Sequence, residues 1–441
     1  MVTFYKPKGD SNNKAAAPVT IDSLDWKGQG VAKGKTMHFV SGALPGETVA
    51  IKVTNSNKKV RSAHAIRVDN PSSHRVKPFC PVASRCGGCQ LQHIESEAAL
   101  SFRNLAIKEM LQRQLKFADE AWHTPISGPR PAYRRKARLA LDARQPEKFK
   151  CGFREQQGKA VVDIHQCPVL LPTLSNLIAP LKKVLNSHEN KRFLGHVSLL
   201  AGDNVAQVTI KHTQTLASQY VDAFASFASH HRVNLLLEDS KGAIQPVLVH
   251  APLICSTLDG AYLTPGPNDF VQVNPAVNQQ MIEQAIAWLS PSEGERIADW
   301  FSGLGNFTLP IAKRGAQVQA VEGVAEMVQR AKHNALEQGI DNVQWLQLDL
   351  FDEDSVLHAL ASGIDKVLID PSREGALTVS HALVKAKPST IVYVSCNPST
   401  FSRDAKVLIE GGYTMDRAKV VEMFPYTQHM EMMARFTRQS K

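Results

Sequence analysis

The chain has 441 residues, of which 43% are hydrophobic and 21% charged, with a formal net charge of +10. That length exceeds one hydrophobic core and implies roughly three domains of ~150 residues, and the composition is that of a globular protein rather than a disordered or fibrous one. The excess charge is concentrated at one end: residues 1–90 hold 14 Lys+Arg against 5 Asp+Glu, whereas the rest of the chain holds 37 against 36.

A basic segment on an otherwise balanced chain points to a polyanionic partner, nucleic acid first. No apolar run reaches the ~18 residues needed to span a membrane, and the N-terminal stretch lacks a signal-peptide core, so a cytoplasmic location is expected. Seven cysteines in such a chain argue for metal binding or catalysis over a disulfide framework. Residues 1–17 are small, polar and charged and read as a disordered tail. From 18 to 70, five short β-type runs (VTI at 19, GVA at 30, TMHFV at 36, TVAIKV at 48, AHAIRV at 63) alternate with Gly-, Pro- and Asn-rich turns. That spacing predicts a small OB-like barrel. Lys27, Lys33, Lys35, Lys52, Lys58, Lys59, Arg61 and Arg67 decorate it, which suits a sequence-blind grip on phosphates.

A central domain over 71–265 carries Cys80-x5-Cys86-x2-Cys89, with Cys167 standing before Pro168. Three close thiols plus a distant one before proline form a four-ligand set of the kind that holds an iron–sulfur cluster. A four-thiolate zinc site is the competing reading. The Gly87-Gly88 pair would let backbone wrap tightly around such a core. Between the ligands lie a helix over about 95–115 and the segment Tyr133-Arg134-Arg135-Lys136-Ala137-Arg138, whose interleaved cations and aromatic suit phosphate contact and base stacking. A strand edge protected by charge would look the same. From 148 to 263, strand-like HVSLLAG and VAQVTIKH alternate with helical stretches and say little about chemistry.

The C-terminal domain, 266–441, opens with FVQVN at 270 and a helix to about Leu289. Alternation follows: a strand into DWFSGLGNFT at 299, a strand ending in Glu322, a third carrying Asp349 and a fourth ending at Asp370. Strictly alternating strands and helices predict a right-handed, doubly wound parallel sheet. A glycine loop after the first strand with an acid ending the second is the grammar of ribose recognition and does not by itself separate a dinucleotide from S-adenosylmethionine. The loop lacks the third glycine of the dinucleotide fingerprint and offers no cation to a pyrophosphate, which favours S-adenosylmethionine. Lastly, IVYVS runs into Cys396-Asn397-Pro398. Pro398 keeps Asn397 out of the helical region, so the thiol sits at a strand exit, where ligand crevices of open α/β sheets lie. Small buried hydrophobes are the commoner role of a lone cysteine, and position alone leaves both readings open.

Taken together, FVQVN at 270–274, DWFSGLGNFTLPIA at 299–312, SCNPSTFSRD at 395–404 and MFPYTQHME at 423–431 resemble the RlmD (RumA) family of bacterial 23S ribosomal RNA uracil-5-methyltransferases, within the wider RNA 5-methyluridine methyltransferase superfamily. The likeness runs over essentially the whole chain. It implies an N-terminal TRAM barrel, a central α+β domain whose Cys80, Cys86, Cys89 and Cys167 hold a [4Fe-4S] cluster, and a Rossmann-like methyltransferase domain. It further implies that Cys396 is the nucleophile, that Glu431 is the base with His429 as runner-up, and that Gln272, Phe301, Asn306, Glu322, Asp349 and Asp370 surround S-adenosylmethionine. Two positions depart from the pattern: Ser372, where relatives often carry a small residue or a second proline, and Met430, where valine is usual.

Carbon 5 of uracil is too weak a nucleophile to attack a methyl sulfonium. Addition of a thiolate to carbon 6 makes the ring an enolate that can, which splits one hard step into easier ones, and a carboxylate then removes the carbon-5 proton. The expected partner is 23S ribosomal RNA with its target uridine flipped out, met by a monomer with no obligate protein partner. The alternatives are a non-catalytic RNA-binding or assembly factor, or a methyltransferase acting on transfer RNA or on cytosine.

Overall fold

The computed structural model describes residues 16–438 apart from positions 190 and 362. Expectations for residues 1–15 lie outside the described residues. Two compact units form, one from residues up to 79 with 90–107 and the other from 80–89 with 108 onward.

In the first unit, β1 (Ala16–Thr20), β2 (Ser23–Leu24), β3 (Gly30–Ala32), β4 (Met37–Ser41), β5 (Thr48–Ser56) and β6 (Val60–Val68) make one sheet in the order β1-β5-β6-β4-β3-β2. Six strands replace the five expected, because Ser23–Leu24 is too short to show a period of two. The β5–β6 turn is set by Asn57, whose Oδ1 accepts from Lys59 N at 3.0 Å and Val60 N at 2.7 Å, an Asx turn. Ile21, Val40, Val49 and Ile51 fill the core, leaving Lys27, Lys33, Lys35, Lys52, Lys58, Lys59 and Arg67 exposed and Arg61 half-buried.

The segments 71–79 and 90–107, read from sequence as central domain, fold into this first unit. The fully buried Glu47 carboxylate is the reason at one end: it accepts from Leu44 N, Ser72 N and, through both oxygens, the Arg75 guanidinium. Burial pushes its pKa up, but these donors win and hold it below the ordinary value. At the other end, Leu91, Ile94, Ala98 and Ala99, the last two on α1 (Ser96–Gln112), pack with Leu24 and Leu44. Arg103 caps Trp26 O at 2.9 Å.

The second unit contains two large sheets. The first is built from β7 (Lys136–Asp142), β8 (Lys150–Arg154), β9 (Val161–Asp163), β10 (Leu194–Ala201), β11 (Ala206–His212), β12 (Val233–Glu238) and β13 (Ile244–Leu248), in the order β13-β12-β11-β10-β7-β8-β9. The helices α2 (Pro172–Ser175), α3 (Ile178–Asn186) and α4 (Ser218–His231) belong with it, and Leu181, Leu185, Phe224 and Phe227 share one core with Val197, Leu199, Val208 and Leu235. A two-stranded ladder, β14 (Cys255–Ser256) with β15 (Tyr262–Leu263), precedes α5 (Pro275–Leu289).

The second sheet alternates β16 (Arg296–Trp300), α6 (Thr308–Ala312), β17 (Gln317–Glu322), α7 (Ala325–Glu337), β18 (Val343–Gln347), α8 (Glu353–Leu360), β19 (Lys366–Ile369), α9 (Leu377–Ala386), β20 (Thr390–Ser395) and α10 (Pro398–Glu410), then closes with β21 (Thr414–Val421) and β22 (Glu431–Thr437). Its order is β18-β17-β16-β19-β20-β22-β21. Five strands are parallel, but β22 runs antiparallel to both β20 and β21, so the expected all-parallel sheet is corrected to a mixed one. A hairpin needs no crossover helix, and the alternating rhythm read from the sequence gives no hint of the return strand. Among the described residues no helix is long and apolar enough to cross a membrane.

Candidate active site

One cavity of about 590 Å³ opens at the C-terminal ends of β16, β17, β19 and β20, where ligands of open α/β sheets bind. Gln272, Phe301, Asn306, Glu322, Asp349, Asp370, Cys396 and Glu431 all line it. His429 is exposed and its ring packs edge-on to Phe424 at 5.8 Å; it is absent from the cavity wall among the described residues.

The sequence places each group by local means. Glu322 ends β17 and its two oxygens accept from Gly303 N at 3.1 Å and Val324 N at 3.0 Å, which fixes the carboxylate at the strand tip. Gly303 and Gly305 have φ of +57° and +94°, conformations that favour glycine. Asn306 exchanges two amide hydrogen bonds with Asn278 of α5, at 2.9 and 3.0 Å, so it braces the loop as well as facing the cavity. Asp349 does not close the third strand as expected. β18 ends at Gln347, and Asp349 sits in the following loop, where its Oδ1 accepts from Phe351 N at 2.9 Å. The Phe301 and Phe351 rings stand 5.8 Å apart in the cavity wall. Gln272 Oε1, Ser302 Oγ and Glu431 Oε2 are buried without a hydrogen-bond partner among the described residues, a cost that a polar occupant would relieve.

Cys396 and Glu431 come from different elements. Cys396 follows β20 directly, and Asn397, at φ −143° and ψ 100°, caps α10 by accepting from Ser399 N. Glu431 begins β22, and the antiparallel register pairing Ser395 with Met432 sets it beside the strand exit. The loop before it is anchored from the central segment. Tyr133 Oη donates to Pro425 O at 3.0 Å, and Arg130, itself buried, pairs with the buried Glu422. Residues 122–126 run along β21, with His123 N donating to Ala418 O at 2.7 Å and Ile126 N to Val420 O at 2.9 Å.

The field in the cavity is acidic. Burial pushes Glu431 up to about 8, helped by Asp370. Burial and the neighbouring Asp299 raise Asp370 to about 7, and burial raises Asp299, fully buried with one oxygen on Thr308 Oγ1 at 2.5 Å, to about 7. The Cys396 thiol is pushed up to about 11, first by burial, then by Glu431 and Asp370, with Arg373 opposing them. Arg373 is the one Lys or Arg among the described cavity-lining residues. The sequence reading carried Asp299 inside a motif without giving it a place in the site and passed over Arg373; a charged residue within three positions of the strand-end Asp370 was the available signal for Arg373.

The basic 133–138 segment is corrected in part. Tyr133 is buried on Pro425, and Arg135 is buried with Ala201 O and Asp203. Lys136 reaches Asp269 O. Arg138 alone of the segment's four cations is exposed. The alternation that looked like a nucleic-acid strand turns two of its members inward to hold the scaffold.

The four expected metal ligands lie in the second unit. Cys86 and Cys167 border one hydrophobic core, the backbone N–H of Gly88 donates to Cys86 Sγ at 3.4 Å, and those of Val169 and Leu170 point at the Cys167 sulfur. Among the described residues no group of three His, Cys, Asp or Glu side chains is arranged to hold a metal ion. Gly87 also serves a close backbone approach: a Cβ there would meet Arg154 O at 2.9 Å, where Cys86 bridges to Glu155.

Residues 97–439 match the family described as tRNA (uracil-5-)-methyltransferase, and residues 15–66 match the TRAM domain. A protein of Alteromonas naphthalenivorans named 23S rRNA (uracil(1939)-C(5))-methyltransferase RlmD is 62% identical over 435 residues, 99% of this chain and 92% of its own. A Vibrio cholerae protein of the same name is 39% identical over 99% of this chain and 100% of its own. Among solved structures, that of the Pyrococcus abyssi tRNA (uracil-54, C5)-methyltransferase in complex with S-adenosyl-L-homocysteine superposes with a TM-score of 0.75 over 96% of this chain and 100% of its own, at 24% identity.

Proposed function

The chain belongs to the tRNA (uracil-5-)-methyltransferase family, and on that premise we propose that it transfers a methyl group from S-adenosylmethionine to carbon 5 of a uridine in 23S ribosomal RNA. The observation that carries this reading is the meeting of Cys396 and Glu431 in the cavity that Gln272 and Glu322 also line; the 23S-specific relatives support the choice of RNA.

The residues present fit S-adenosylmethionine. Glu322, Asp349, Asp370 and Glu431 face Arg373 as the single lining cation, an acidic wall suited to a sulfonium and unsuited to a pyrophosphate. Glu322 would accept from ribose hydroxyls, Gln272 and Asp370 would hold polar groups of the cofactor, Phe301 and Asp349 the adenine side, and Asn306 the loop between them. When bound, S-adenosylmethionine supplies an electrophilic methyl group.

Cys396 acts as a thiolate and forms a bond from sulfur to carbon 6 of the uracil, which moves the ring electrons to carbon 5 and makes it the nucleophile. Once carbon 5 carries the methyl group, Glu431 takes its proton; the electron pair of that C–H bond re-forms the ring double bond and expels the sulfur. A base whose pKa is raised toward neutral is matched to proton transfer at physiological pH. His429, exposed, does not serve. The target uridine leaves its stack to reach Cys396, at about a few kcal/mol, and the exposed lysines of the N-terminal sheet with Arg138 repay that through phosphate contacts. The reading places this reaction in a cytoplasmic monomer.

Cys80, Cys86, Cys89 and Cys167 would hold a [4Fe-4S] cluster. The donor chemistry and the N–H groups directed at two of the sulfurs support it; once bound, it would tie the 80–89 loop to the 167 turn and take no part in methyl transfer. Iron and acid-labile sulfide in the purified protein test it; stoichiometric zinc in a colourless, active enzyme overturns it.

The function itself is tested with labelled S-adenosylmethionine and 23S RNA followed by nucleoside analysis. The expected product is 5-methyluridine; 5-methylcytidine, label confined to transfer RNA, or binding without transfer refutes the reading.

A further inference from the structure

The motif SCNPSTFSRD extends eight residues past Cys396, farther than a nucleophile needs. Its end is built onto the turn that follows Arg373 of the cavity wall. Asp404, on α10 and fully buried, accepts from Ala376 N at 2.7 Å and Tyr393 Oη at 2.8 Å through one oxygen and from Arg403 Nε at 2.8 Å through the other. Arg403 in turn donates to Glu374 O at 2.8 Å. Asn397 Nδ2 and Thr400 Oγ1 both donate to Arg373 O, at 3.0 and 3.2 Å. Gly375, at φ +79°, lies so close that a Cβ would sit 2.5 Å from Asp404 Oδ2.

Outside their own helix and its cap, the backbone groups that these side chains reach belong to the turn 373–376, which lies just past Asp370 and carries Arg373. Ser372, Arg373 and Glu374 are exposed; the turn's other hydrogen bonds are local, from Gly375 N to Ser372 O at 3.0 Å and from Ser380 N and Oγ to Ala376 O at 2.8 and 2.9 Å. Tyr393 lies three residues before Cys396 on β20, and Asn397 one after it, so the clamp grips the turn from both sides of the thiol.

We propose that Asp404, with Tyr393 and Arg403, is a positioning residue that locks the 373–376 turn onto the Cys396 helix and so holds Arg373 toward the thiol. It rests on the reading of Cys396 as the reacting nucleophile. The charged groups facing that sulfur are Glu431 and Asp370, which oppose its ionisation, and Arg373, which favours it. Asp370 is tied to the sheet by its own N–H on Trp300 O at 3.3 Å. Release of the turn therefore moves Arg373 away while Asp370 stays, and thiolate formation becomes harder.

The test uses the full-length protein without RNA or cofactor, following alkylation of the Cys396 peptide by iodoacetamide at pH 7–9 with mass-spectrometric readout. Asp404→Asn should slow the folded protein's alkylation at least about threefold, Arg373→Gln should do the same, and the double variant should be no slower than either, since both remove one interaction. A structural role alone would lower thermal stability and leave the folded protein's alkylation rate unchanged. Unchanged rates, or additive slowing in the double variant, overturn the proposal. Should Asp404→Asn not fold, Tyr393→Phe removes one donor to the same carboxylate and must slow alkylation in the same direction. Methyl transfer that survives Cys396→Ala would remove the nucleophile reading separately, because the alkylation measurement involves no transfer.

Discussion

The two halves of the active cavity are made in different ways. The proposed cofactor half, at the tips of β16, β17 and β19, is local: its carboxylates and glycines sit at or just past strand ends, and the carboxylates are held by backbone N–H groups of their own or the neighbouring strand-end loop. The half proposed to react joins Cys396 to Glu431 through a return strand, a loop pinned by Tyr133 and Arg130 from far upstream, and a turn clamped by Asp404. Local grammar places the strand-tip acids; bringing Cys396 and Glu431 together takes long-range pairing.

The contrast can be broken most sharply at the thiol. Cys396→Ala should lower methyl transfer by about 10⁴-fold or more and abolish the covalent complex with 5-fluorouridine RNA, while S-adenosylhomocysteine binding measured by calorimetry stays as it was. An adduct that persists would move the nucleophile elsewhere. Glu431→Gln should slow turnover about 10²–10³-fold and accumulate the methylated adduct, because elimination stalls.

The same variant has a second signature. Glu431 is raised in the fold from 4.5 to about 8, so between those values the unfolded chain gives up its proton first and the parent loses stability as pH rises; below the window nothing is lost. Glu431→Gln should therefore be more stable than the parent at pH 8.5, on the order of 5 kcal/mol, with the gap closing toward pH 4. A gap that does not change with pH would mean that the carboxylate is not desolvated.

On the cofactor side, Glu322→Ala should weaken S-adenosylhomocysteine about 10–100-fold and leave the RNA adduct able to form; equal loss of both would erase the distinction between the halves. Smallest of all, Lys58→Ala with Lys59→Ala should cut the salt slope of RNA binding by about one per residue without touching cofactor affinity.

The cofactor half was legible in the sequence because strand, glycine loop and acid recur at short, fixed spacing, and its one misplacement, Asp349, was an error of two residues at a strand end. Cys396 was legible as a strand exit. Glu431 came from resemblance alone: no period or spacing connects residue 431 to residue 396, and only the β20–β22 register does. The basic segment at 133–138 misled for a physical reason, since a cation on a strand looks the same whether it faces phosphate or, like Arg135, a buried carbonyl and Asp203. Composition reports charge, and burial decides its use.

The antiparallel strand also divides the cavity's contents by strand. Because β22 lies between β20 and β21, Glu431 reaches the strand exit at Cys396 only through that inserted strand. On the proposed mechanism, a chain without β22 would keep its thiol and lack its proton acceptor, so it would hold an RNA base covalently and not let it go.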